Sequence, residues 1–118
     1  GSYALKVRID DLEYQLGQTE IMGVQKAFIG PLVSLLNEKP DLQIKICPMA
    51  HSTDLVSRTP DLNSETDILA LKTIANVRGQ AFKGYLIEHY QIASARMLLC
   101  QPKIDADMDS KPRIEFEI

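Results

Sequence analysis

Apolar and polar residues alternate twice near the N-terminus, in Leu5-Val7-Ile9 and again in Leu12-Tyr14-Leu16. A period of two is the signature of a strand with one buried face. Asp10-Asp11 divides the two pieces, so Leu12 to Gln15 is the part expected to join a main sheet. Thr19 can cap a helix, and Ile21, Val24, Phe28, Leu32, Leu35 and Leu36 follow at helical spacing. Gly30-Pro31 falls inside that run. Proline has no backbone N–H and crowds the preceding turn, so a kink or restart is expected at Pro31. Lys39-Pro40-Asp41 closes the helix, and Leu42 to Ile46 alternates as a half-buried strand.

Pro48 to Asn63 is polar and aperiodic, with two prolines, and reads as a long loop of the kind that carries function. Ser64-Glu65-Thr66-Asp67 has the form of a capping box. A long helix is predicted behind it, from about Glu65 to His89. Arg96 to Cys100 is a short apolar strand, Gln101 to Pro112 an acidic loop, and Arg113 to Ile118 alternates as the last strand. The order β-α-β-α-β-β predicts an α/β sandwich of the α+β kind, one sheet with its helices packed on one face.

Advancing 100° per residue along the second helix gathers Ile68, Leu71, Ile74, Ala75, Ala81, Phe82, Tyr85 and Leu86 on one arc. Arg78 lies in the middle of that arc. An arginine there cannot shed its charge and must meet an anion or reach water. Two readings follow. Either Arg78 snorkels or pairs with an internal carboxylate, or its guanidinium is held by packed neighbours for the carboxylate of a ligand.

Composition narrows the function classes. The chain has 118 residues, 45% hydrophobic and 25% charged, which is one domain with a real core. A net charge of -3 and a pI near 5.3 argue against a general nucleic-acid binder, which needs a basic stripe. No apolar run approaches the roughly 20 residues of a membrane span. Gly1-Ser2 looks like a cloning scar, which implies an excised domain spanning 3–118. Cys47 and Cys100 are too few for a disulfide scaffold or a four-cysteine zinc site. Asp105-Ala106-Asp107-Met108-Asp109-Ser110 opens like a calcium loop, but Ser110 stands at the sixth position where glycine is needed, Pro112 at the eighth, and Phe116 at the twelfth where glutamate is needed. A solvated acidic loop is the expectation. Cys47 and His51 straddle a strand end and Pro48, which denies them the geometry of a metal pair. No nucleophile elbow, phosphate loop or dinucleotide fingerprint occurs, so neither catalysis nor a cofactor is expected.

Four pieces in order resemble the OmpA/MotB-like domain, the periplasmic module that holds bacterial envelope proteins to peptidoglycan. Leu32 to Ile46, "LVSLLNEKPDLQIKI", is similar to the family's helix, "NPD" turn and second strand. His51-Ser52-Thr53-Asp54 is similar to its "GHTD". Ile74 to Met97 is similar to its "LSxxRA" helix, with Arg78 on the arginine and Arg96 on the arginine that follows the helix. Gln101-Pro102 and Lys111 to Phe116 are similar to its "xxP…NRRVEF" ending, which places Arg113 on a motif arginine. Leu12 to Ile21, "LEYQLGQTEI", is also similar to the opening of the divergent module that ends large AsmA-like envelope proteins.

The resemblance implies one mixed sheet of about four strands. It implies a noncovalent binding module, not an enzyme, whose partner is the diaminopimelate of the peptidoglycan stem peptide, with other envelope proteins as further partners. Arg78 would hold the carboxylate, and an aspartate would hold the ammonium. Asp54 has the motif context and Asp61 is closer to the family spacing, so both are candidates, with Arg113 counted among the ligand-binding residues. The alternative is the same fold with a decayed site, serving as a structural or protein-interaction module. The family fold also sets the strands ending in Cys47 and Cys100 side by side, so the thiols should be neighbours. Two buried free thiols are the favoured expectation, and a disulfide the alternative.

Overall fold

A computed structural model of the chain describes residues 8–118. Most of the first alternating segment, Leu5 to Val7, lies outside the described residues. The order is β1 (Leu12–Glu13), α1 (Gly23–Glu38), β2 (Ile44–His51), a 3-10 turn (Ser52–Asp54), α2 (Glu65–Tyr90), a second 3-10 turn (Ser94–Arg96), β3 (Met97–Leu99), β4 (Lys103–Asp105) and β5 (Arg113–Glu117). The sheet is mixed, in the order β1-β5-β2-β3, with β4 also on β2. β5 runs antiparallel to β1 and β2, and β3 and β4 run parallel to β2.

Both helices cover one face of this sheet. Ile44, Ile46, Leu12, Ile114, Ile29, Leu32, Leu36, Phe82, Leu86 and Met97 form the main core. Ala50, Leu71 and Ala75 continue it as a smaller cluster where β2 meets α2. Phe82 is fully buried, and its ring centroid lies 5.4 Å from Phe116 and 6.4 Å from Phe28. The predicted phase of the second helix is therefore the observed one.

Four boundaries differ from expectation. α1 begins at Gly23, not after Thr19, because the Gln25 side chain reaches back to accept the Met22 N–H at 3.0 Å. It runs through Pro31 as one helix rather than restarting there. β2 does not stop at Ile46 but continues through Pro48 to His51. The acidic loop contains a strand, β4, which the sequence pattern does not signal because three residues are too few to show a period.

Pro48 explains the interruption between β3 and β4. The Ile46 carbonyl accepts from Cys100 on the β3 side. Two residues on, Pro48 faces the same edge and has no N–H to give. The edge strand bulges there: Ile46 pairs with Leu99 and Met49 with Lys103, one residue more on the edge than on β2. Cys47 and Cys100 meet at this break and are joined as a disulfide, with Cα atoms 4.6 Å apart. The favoured expectation of two free thiols is corrected: parallel register sets the two Cβ atoms within bonding reach. Gly79 belongs to the same feature. A Cβ there would stand 3.0 Å from Pro48 Cγ, so glycine lets α2 approach β2 at the proline.

Candidate functional site

The pair at the heart of the molecule is Arg78 and Asp54. Arg78 comes from the buried stripe of α2, and Asp54 from the 3-10 turn that ends β2. Arg78 is 0% exposed and Asp54 2%. They form a two-pronged ion pair, Nη2 to Oδ1 at 2.6 Å and Nη1 to Oδ2 at 2.8 Å. Asp54 Oδ1 also accepts the Gly17 N–H at 2.7 Å, and Oδ2 accepts the His51 N–H at 2.8 Å. Burial alone would raise the Asp54 pKa, but the Arg78 fork and the two backbone N–H groups outweigh it and hold the carboxyl below its usual range.

The remaining guanidinium protons are also taken. Nε donates to the Gln18 carbonyl at 2.6 Å, Nη2 to the Gln15 carbonyl at 3.3 Å, and Nη1 to the Met49 carbonyl at 3.5 Å. An arginine has five N–H donors, and here each has an acceptor within the chain. The Tyr14 ring closes one side, with the guanidinium carbon 5.3 Å from its centroid.

The cover over the pair is the turn Gln15–Gln18. The Gln18 N–H donates to the Gln15 carbonyl, and Gly17 at the third position has φ +71°. That is the backbone of a type II turn, for which glycine is suited. A Cβ at Gly17 would also approach Val56 to 3.4 Å. The turn is tied down by glutamines. Gln18 Nε2 donates to the buried Gln25 Oε1 and to the Glu20 carbonyl, and Gln25 Nε2 donates to the Glu13 carbonyl. Sequence reasoning missed this turn as part of the site. The signal was "QLGQ", a glycine between glutamines just past a strand, though nothing local says that it would face Arg78.

His51 is buried beside the pair. Its Nδ1 accepts the Thr53 N–H at 3.2 Å, and its Nε2 lies 2.8 Å from the Asp107 carbonyl. A carbonyl only accepts, so the neutral ring carries its proton on Nε2.

The other expected site residues lie elsewhere. Asp61 is exposed; its N–H donates to Asp67 Oδ2, and its Oδ1 accepts from Asn63. Asp67 is held by the Arg58 guanidinium, which with the Asp61 N–H lowers its pKa to about 2. Arg113 is bound to Glu115 at 2.9 Å and Asp105 at 3.0 Å, with Asp11 at 3.9 Å. Arg96 caps α1, donating to the carbonyls of Leu36, Lys39 and Leu42. Of the predicted ligand set, the fold brings together Arg78 and Asp54.

No family model and no curated relative matches the sequence. Solved structures do. The OmpA-like domain of FopA1 from Francisella tularensis subsp. tularensis SCHU S4 superposes with a TM-score of 0.68 at 12% identity, covering 92% of this chain and 69% of that one. An outer membrane protein from Borrelia burgdorferi B31 superposes with a TM-score of 0.56 at 18% identity, covering 92% and 84%. The fold is OmpA-like. Neither neighbour is described as an AsmA-like protein. In the OmpA-like fold of this chain, the motif arginine and motif aspartate face each other beneath the Gln15–Gln18 turn.

Proposed function

We propose that this OmpA-like domain is a noncatalytic module of the bacterial cell envelope, periplasmic in location, in which Arg78 and Asp54 fasten the N-terminal turn to the body of the fold. One observation supports this above all: a fully buried guanidinium whose five donors are all accepted internally leaves none for a ligand carboxylate. The module would then serve its parent protein as a structural or protein-interaction unit. In co-sedimentation with diaminopimelate-type sacculi at low salt, the wild-type domain is expected to remain in the supernatant. Pelleting of the wild type that is lost in a folded Arg78→Lys variant would sink this reading.

A second reading rests on a different observation. The two charges are side by side, and what covers them is a short turn. A stem peptide that displaced the turn would offer its ammonium to Asp54 in place of the Gly17 N–H and its carboxylate to Arg78. Asp54 would be the acid, since its carboxylate lies against Arg78, while the exposed Asp61 carboxylate stands apart and accepts the Asn63 N–H, and Arg113 is engaged by Asp105 and Glu115. Replacing Gly17 by alanine strains the turn in its positive-φ conformation. Under this second reading that variant would pellet more strongly than wild type; under the first it would stay soluble and only lose stability.

A further inference from the structure

The edge of the sheet on the β3–β4 side is held in two unequal halves. β3 pairs with Ile44 to Ile46 and β4 with Met49 to His51, and between them the backbone ladder is broken at Pro48. The Cys47–Cys100 disulfide spans that break. Its half-cystines lie on the sheet face opposite the helices, since Ile46, Pro48 and Ala50 take the helix side of β2.

The two halves differ in what else secures them. β3 follows directly on the second 3-10 turn, whose Arg96 grips the end of α1, and Met97 is in the main core. β4 has three residues, exposed or half-buried, and leads into the Asp105–Ser110 loop. That loop touches the body through the Asp107 carbonyl on His51 and Asp105 on Arg113. It also supplies Ala106 to one wall of a groove of about 620 Å³ whose other wall includes Ser52, Thr53, Val56 and Leu62. Without the bridge, β4 and its loop keep those two polar contacts and the half-buried Ile104 on the Ala50–Leu71–Ala75 cluster, whereas β3 keeps the fully buried Met97 and the Arg96 grip.

We propose that the Cys47–Cys100 bridge is a redox latch for β4 and the acidic loop, so that its thiol–disulfide state sets the shape of the groove between that loop and the Ser52–Leu62 segment. The exchange is balanced with a dithiol as the reductant. Its first thiolate attacks one sulfur and forms a mixed disulfide. Its second thiol then closes to the cyclic disulfide, leaving Cys47 and Cys100 as two thiols and taking both electrons from the dithiol.

The test is amide hydrogen exchange on the folded 118-residue chain, with and without dithiothreitol, alongside a thiol count on denatured, unreduced protein. The count should find no free thiol. Reduction should speed exchange at Ala50 and across 101–110 about tenfold or more beyond the change that lower global stability brings to Ile44, Ile46 and Met97 to Leu99. A Cys100→Ser variant should reproduce the reduced pattern; if it fails to fold, the dithiothreitol arm decides alone. Two free thiols in the untreated protein, unchanged exchange on reduction, or equal loss of protection along the whole sheet would each overturn the latch.

Discussion

At the scale of single residues, the Arg78–Asp54 pair dominates. Two charges removed from water cost more than their attraction returns unless every remaining lone pair and proton is satisfied, and here they are. Arg78→Met should therefore cost about 3–5 kcal/mol in urea denaturation, because it strands a buried carboxylate. Adding Asp54→Asn should recover part of that loss, since a neutral amide replaces the stranded charge. The pair also sets an acid limit. With Asp54 held below its unfolded value of about 3.9, its stabilisation is complete above that pH and is lost as pH falls through the lower folded value. The denaturation midpoint should fall below about pH 4, and less steeply in Asp54→Asn. Tyr14 offers a contrasting case. Its hydroxyl is buried and has no hydrogen-bond partner among the described residues, and burial pushes its pKa up. Tyr14→Phe removes the orphaned group and keeps a ring against Arg78, so stability should hold or rise by up to about 1 kcal/mol. A loss above that would show that the hydroxyl is satisfied in solution.

At the scale of elements, the two helices owe their placement to different causes. α2 is legible from its apolar arc and its serine cap; its end, at Gln91 in the left-handed conformation, is not. Phe82 anchors it among Phe28 and Phe116, and Phe82→Ala should cost about 3–5 kcal/mol by chemical denaturation, the range for a fully buried phenylalanine. A loss under about 1 kcal/mol would contradict that packing. α1 is legible in its body and not at its start. Its first turn is set by Gln25, which reads as a surface residue yet is 1% exposed because it bridges Met22, Glu13 and Gln18. β2 was cut short in the sequence pattern because proline normally marks the end of a central strand. The bulge opposite Pro48 removes the need for its missing donor.

At the scale of the whole molecule, the disulfide joins positions 53 apart in sequence. Closing a loop of that length removes unfolded-state freedom equivalent to about 4 kcal/mol on the chain-entropy account. Reduction should lower global stability by about 2–4 kcal/mol, read from paired urea titrations with and without dithiothreitol. No measurable difference would mean that the bridge constrains nothing the fold does not already hold.

The sequence by itself determined the order of the main elements, the buried phase of α2 and the oddity of Arg78. These are consequences of periodicity and charge, which act over a few neighbouring residues. Its family resemblance offered Asp54 and Asp61 as partners for Arg78, with the motif context leaning to Asp54. Only the tertiary structure showed that Asp54, and not Asp61, faces Arg78, and what else that pair holds. The partners of Arg78 lie at Gln15, Gln18, Met49 and Asp54, on a turn, a strand and a 3-10 turn far from it in the chain. A guanidinium satisfied from within and one awaiting a ligand have the same sequence neighbours. They differ in which distant carbonyls the fold carries to them, and local pattern holds no record of that.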